Sequence, residues 1–380
     1  MPLPFTDKRF LHATAVLVGT MVGVGVFGIP FVFAKAGFFV GLAFLVFTAF
    51  VTYLANLLMA EIILRTHAPH QLTGYASKYI GPSGKRLMLL TNTMAILGAL
   101  LAYLIVAGEF LNNIFSQFIY IQPELYSILF WFAASLVMLL RFRTTAWIEF
   151  FLTGLFIFVI LMVAGLGASK VRLANLMTFT PEFWFLPYGV LLFAFSGITS
   201  IPIQRHVLED KEHYLRKSIL AATLLVAVLY LLFAFIIVGV SGEVTTPDAF
   251  SGLFDTLGSS VIILGSIFGV LTISTSYLML SKALFDVFQL DYGLPKKWSW
   301  SLISLPPIGL FIAGFRTFID TINIVGSVAI GLEMILLIFI FVQAKSRGDR
   351  IPEMSLRLPA WVLYVLSLMF AVGIAYALLW

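Results

Sequence analysis

The sequence predicts an all-α integral membrane protein of about eleven spans, and three observations carry that prediction. Hydrophobic residues make up 61% of the 380 and charged residues only 11%, where a soluble domain carries roughly 25% charged residues. The apolar residues lie in continuous runs of 17–30, close to the roughly 20 that a helix needs to cross a bilayer. Two of those runs, five spans apart, are interrupted by the same glycine- and proline-bearing pattern.

These features exclude several classes. Too few charged side chains are present to coat a water-soluble domain. With no cysteine there is no disulfide, thiol nucleophile or thiolate metal site. A β-barrel would alternate apolar and polar residues instead of running them together. No clustered catalytic set is present, so an enzyme is not expected, and too few polar residues stand in register to line a channel.

The runs follow in order. The first, 11–35, comes after Lys8 and Arg9 with no small-x-small cleavage site promptly behind it, which reads as a retained span and not a signal peptide. The second, 38–64, stops at Arg65, and the third, 87–117, starts after Lys85 and Arg86. The fourth, 125–140, ends at Arg141 and Arg143; the fifth, 147–168, runs up to Lys170. The sixth, 183–204, meets Arg205, and the seventh, 217–240, follows Lys217. The eighth, 257–284, reaches Lys282, and Lys296 and Lys297 precede the ninth, 299–314. The tenth, 320–342, ends before Lys345, and the eleventh is 359–379. Short polar loops join them, so function must sit inside the bundle or at its mouths.

Placing the N-terminus in the cytoplasm puts 19 of the 23 Lys and Arg residues on inner loops and leaves Lys35, Lys170, Arg172 and Arg316 outside. That asymmetry obeys the positive-inside rule. It also explains the net charge of +5 without a nucleic acid. With eleven spans, the C-terminus falls outside the cell membrane.

The interrupted runs share Gly-x-x-small-Ile-Pro, at Gly25–Pro30 and at Gly197–Pro202. Glycine lets the backbone leave helical geometry, and proline inside a helix removes an amide donor. In lipid a broken helix survives only where it lines a cavity or binds something. Paired breaks in corresponding segments point to a midplane site between inverted halves. Amides at a half-helix N-terminus suit an anionic group, and unwound carbonyls suit a cation. Close helix packing, as in the small-xxx-small pair Gly19–Gly23, explains the glycines but not the second copy of the pattern.

Polar residues inside the runs add candidates. Thr272, Thr275 and Ser276 lie on one face of the eighth span. They are either cation ligands or hydroxyls satisfied on their own helix carbonyls. Glu333 in the tenth span and Glu109 in the third are costly intramembrane acids, either proton carriers or buried structural acids. Glu61 and Arg65 read as an i,i+4 pair. All five histidines, His12, His67, His70, His206 and His213, fall near span ends, which removes an imidazole relay.

Gly19-Thr20-Met21-Val22-Gly23-Val24-Gly25-Val26-Phe27 resembles the first-helix signature of the amino acid–polyamine–organocation superfamily. Pro30 with Ala36-Gly37-Phe38, Ala102–Ile105, and Thr275-Ser276-Tyr277-Leu278 leading to Phe285-Asp286 are similar to the amino acid/auxin permease branch, including bacterial tryptophan/tyrosine permeases. The resemblance runs through the whole chain in span order. It implies a LeuT-type fold: residues 1–168 as the first inverted repeat, 183–342 as the second, and 359–379 as an added helix.

The resemblance also implies a site. The substrate carboxylate would rest on Gly23, Val24 and Gly25, and its amino group would meet carbonyls near Thr20 and around Phe195, Ser196 and Gly197, with Thr199 beside them. Tyr103 is either a lid over substrate or one more core ring, and Phe195 flanks the second break as a gating aromatic. A sodium ion would lie between the carbonyls of Gly19 and Val22 and the hydroxyls of Thr272, Thr275 and Ser276. Some proton-coupled relatives carry a lysine on the fifth span instead, and Trp147–Ala168 contains none. With no charge in the pocket, the expected substrate is a neutral amino acid moved by symport. A permease-like sensor that binds without transporting is the rival.

Overall fold

The computed structural model describes residues 7–379 except 117, 120 and 140–145, so Arg141 and Arg143 lie outside the described residues; side-chain placements are not described for 146–153, 156, 290 and 291. Each predicted run is helical. The first is split into α1 (Lys8–Met21) and α2 (Gly25–Ala36), bent by 60°. Then come α3 (Phe38–Leu64), α4 (Leu72–Phe115), α5 (Pro123–Leu139) and α6 (Ala146–Gly167). The sixth run is split into α7 (Leu186–Ala194) and α8 (Ile201–Val207), followed by α9 (Leu215–Ser241). A short α10 (Phe254–Leu257) precedes α11 (Ser259–Asp286) and α12 (Lys296–Ile312). The tenth run comprises α13 (Phe318–Ile324), a π-helical turn over Val325–Ile330, and α14 (Gly331–Arg347); α15 (Ala360–Leu379) closes the chain.

Among the described residues, eight of these segments are long and apolar enough to cross a bilayer, counting the bent α1–α2 pair as one. The helices α5 and α12, at 17 residues each, are shorter than these. Large side chains such as Leu11, Phe39, Phe50 and Leu368 remain exposed, as expected where lipid replaces water as the solvent.

Two differences from the sequence reading have local causes. The helix containing the third span begins at Leu72, fifteen residues before 87, and turns sharply at Gly81 (φ 80°), a conformation suited to glycine, ahead of Pro82. The charged residues Lys78, Lys85 and Arg86 lie on this extra helical stretch. The two prolines also play different parts. Pro202 stands in the first turn of α8, where no donor is lost, whereas Pro30 lies inside α2, downstream of the break at 22–24. Glycines, not Pro30, open the first helix.

At the end of the bundle where the chain begins, Glu61 is fully buried and pairs with Arg65 at 2.8 Å, as expected for i,i+4. Its second role was not expected. Its carboxylate also accepts from the Ser355 hydroxyl at 3.2 Å and the Leu356 amide at 2.6 Å, which binds the 348–358 segment under α3. Arg65 O accepts from the Asp349 and Arg350 amides, and Arg350 donates to Leu64 O at 3.1 Å. Lys78, hydrogen-bonded to Asp349 at 2.6 Å, together with the His67 amide, holds that carboxyl down to about 2. That pair is lost only as pH falls through that value. Glu61→Ala strands a buried amide and a guanidinium; breaking a buried pair this way costs about 3–5 kcal/mol. Thermal melting in detergent is expected to drop by several degrees, while Lys282→Ala, in an exposed pair with Asp286, leaves it unchanged.

Candidate functional site

The site is built where the two broken helices cross. At the end of α1, the Val22 amide still reaches Val18 O (2.8 Å), but the Gly23 amide folds back to Met21 O (2.9 Å). The amides of Val24 and Gly25 have no backbone acceptor among the described residues, and the carbonyls of Gly19, Thr20 and Val22 have no backbone donor. Helix α2 therefore starts with two open donors at its positive end. At the second break, Ser196 N bonds Phe193 O (3.1 Å), and Ser200 caps Gly197 O with both its amide (3.0 Å) and its hydroxyl (2.8 Å). Gln204, fully buried on α8, donates to Ala13 O of α1 at 2.7 Å, joining the first half of one broken helix to the second half of the other.

The crossing depends on small residues. A Cβ on Gly25 would stand 2.9 Å from Ala194 Cα and 2.9 Å from Phe193 Cδ1. A Cβ on Gly197 would stand 2.6 Å from Leu17 Cδ1. A Cβ on Gly23 would lie 3.1 Å from the Tyr103 hydroxyl, which places that phenol against the first break. Phe195 is fully buried, and Tyr103 nearly so, at 6% exposed. Val24, Gly25 and Gly197 are buried, Gly19, Gly23 and Ser196 half-buried, and Thr20 and Thr199 exposed. The Thr20 hydroxyl bonds its own helix at Val16 O (2.9 Å). The structure thus brings Gly23, Val24, Gly25, Tyr103, Phe195, Ser196 and Gly197 into one region.

The span-eight hydroxyls sit on a helix with other main neighbours. Helix α11 packs on α4 and α6, whereas α1 packs on α9 and α8. Thr275 donates to Thr272 O (3.0 Å), and Ser274 to Val270 O (2.6 Å), which is the self-satisfied arrangement. Thr272 is buried and Ser276 half-buried. Glu333 on α14 is 3% exposed, with Oε1 buried and unpartnered; Glu109 on α4 has a buried, unpartnered Oε2 near Asp248.

The residue that sequence reasoning missed is Tyr230. It is fully buried on α9, its hydroxyl 2.7 Å from Met21 O and 3.0 Å from Ala194 O, the last residues of α1 and α7. Its ring meets Phe195 edge-on, with centroids 5.1 Å apart. The signal was a lone tyrosine amid Val228-Leu229 and Leu231-Leu232, since a phenol deep in hydrocarbon must find an acceptor. A second missed feature is the tight contact of Gly189 on α7 with Gly326 in the π-helical turn. There a Cβ on Gly326 would fall upon Gly189 O, and one on Gly189 would run into the Asn323 and Ser327 side chains.

An all-helical membrane bundle whose first and sixth spans are broken at one crossing is the architecture of a LeuT-type transporter. The solved structure of MhsT in complex with L-phenylalanine shares this fold, with a TM-score of 0.60 over 97% of this chain and 98% of that one at 16% identity. The model of the tryptophan/tyrosine permease family matches residues 6–379, and the chain belongs to that family. Glutamine transporter 2 of Aliivibrio fischeri is 25% identical over 293 residues, 73% of this chain and 74% of its own length. The protein is a multi-pass membrane amino acid transporter and not an enzyme.

Proposed function

We propose that this protein is a secondary active symporter that takes up neutral amino acids by alternating access. The observation that carries the reading is the pair of open amides at Val24 and Gly25 facing a second break across the Gly25–Ala194 crossing. Amides at the positive end of α2 suit a carboxylate, and carbonyls at the ends of α1 and α7 suit an ammonium. Apolar walls from Phe193, Phe195 and Val24 favour a neutral side chain. The two halves, 1–168 and 183–342, act as inverted repeats around this point, with 359–379 outside them. The N-terminus lies in the cytoplasm, as the distribution of Lys and Arg supports.

Sodium is the coupling ion in this reading, held by Gly19 and Val22 carbonyls and by Thr272, Thr275 and Ser276 once α11 and α1 approach. A specific observation favours protons as the second reading: Glu333 and Glu109 each bury an unpartnered carboxyl oxygen. An isolated charge there would be strongly disfavoured, so such an acid is suited to carry a proton. The test is uptake of labelled phenylalanine, tryptophan and glutamine into proteoliposomes under an inward Na⁺ or an inward H⁺ gradient. Concentrative uptake with Na⁺, weakened at least tenfold in sodium affinity by Thr275→Ala or Ser276→Ala, supports the first reading. Uptake with H⁺ that Glu333→Gln abolishes supports the second. Binding without flux under either gradient identifies a sensor.

A further inference from the structure

The hydroxyl of Tyr230 stands within hydrogen-bond distance of two carbonyls, at 2.7 and 3.0 Å, and it has one proton. Both carbonyls end broken half-helices, one from each half of the chain, and both are buried from water. We propose that Tyr230 is a positioning residue that stands in for the substrate's ammonium group when the carrier is empty. This rests on the reading of the protein as an amino acid symporter.

The argument is one of donor supply. Met21 O already accepts from the Gly23 amide at 2.9 Å, whereas Ala194 O has no backbone donor among the described residues; an α-ammonium brings three protons to the crossing and satisfies both carbonyls while substrate is bound. After release, those protons are withdrawn from two carbonyls whose residues are buried within the bundle, where an unmet acceptor is costly. The Tyr230 hydroxyl then supplies the donor, and α9 provides a rigid mount, since its ring is held edge-on by Phe195. The hydroxyl thus keeps the ends of α1 and α7 together during the return of the unloaded carrier. Net uptake requires that return step. Exchange of internal for external substrate does not, because the carrier crosses loaded in both directions.

The experiment compares net uptake with exchange in proteoliposomes containing the whole protein, using the labelled neutral amino acid that the wild type takes up. Tyr230→Phe keeps the ring and removes the hydroxyl. Net uptake per folded transporter is expected to fall at least tenfold, with exchange into preloaded vesicles staying within about threefold of wild type, a loss on the scale of one buried hydrogen bond. Tyr277→Phe is the control: it removes another buried tyrosine hydroxyl, on a ring packed edge-on against Phe130 of α5, and the ratio of net uptake to exchange stays unchanged. Equal loss of both fluxes in Tyr230→Phe, or loss of neither, overturns the proposal. Absence of both fluxes in the wild type overturns the symporter reading itself, and the role of Tyr230 falls with it.

Discussion

Gly25→Leu is expected to reach the membrane in normal amount and to transport nothing measurable. Even the first carbon of a side chain at this position would meet the Ala194 backbone at 2.9 Å, so α2 and α7 would have to separate. Backbone cannot yield as a flexible side chain can. Overpacking of this kind costs about 1–3 kcal/mol for a few added methylenes, and leucine adds more. The separation would also pull the Val24 and Gly25 amides away from the second break. Uptake normalised to protein in the membrane is expected to drop about a hundredfold or more, since each 1.4 kcal/mol is tenfold. Gly25→Ala should fall between the two. Transport by Gly25→Leu at wild-type levels would remove the crossing from the mechanism.

A comparable loss is expected from Gly326→Ala, at a place with no motif to mark it. Gly326 lies in the π-helical turn between α13 and α14, where an added Cβ would fall on the Gly189 carbonyl oxygen. Such turns loosen one backbone hydrogen bond and recur at functional positions. A methyl group there would displace α7, the first half of the second broken helix, against the tenth span. Thermal stability in detergent is expected to fall by several degrees and uptake by at least tenfold. Gly309→Ala is the matched control: it lies inside α12 with nothing within 4 Å of an added Cβ, and alanine favours the helix. If both variants behave alike, the Gly189–Gly326 contact has no special role.

The parts of this architecture legible in the sequence are those written locally. Spans follow from unbroken apolar runs, and the two breaks from Gly25–Pro30 and Gly197–Pro202, because backbone freedom is a property of the residue itself. The Glu61–Arg65 pair is equally local. What stayed hidden depends on neighbours far away in the chain. Tyr230 acts on Met21, 209 residues earlier, and a tyrosine in an aliphatic run gives no sign of which carbonyl it will find. The turn at Val325–Ile330 contains no proline, and Gly189 approaches it closely from another helix. Periodicity groups Thr272, Thr275 and Ser276 on one face of α11, but it says nothing about which helix lies opposite.

The capture of the 348–358 segment by Glu61 bears on how the protein is made. Span two enters the membrane early, yet the Leu356 amide that completes its buried carboxylate is 295 residues further along. At roughly 5–20 residues per second of synthesis, Glu61 waits about 15–60 s for that partner. During that interval Glu61 has its i,i+4 partner Arg65 but neither the Ser355 hydroxyl nor the Leu356 amide, so its pairing is completed only by the segment that precedes the last helix.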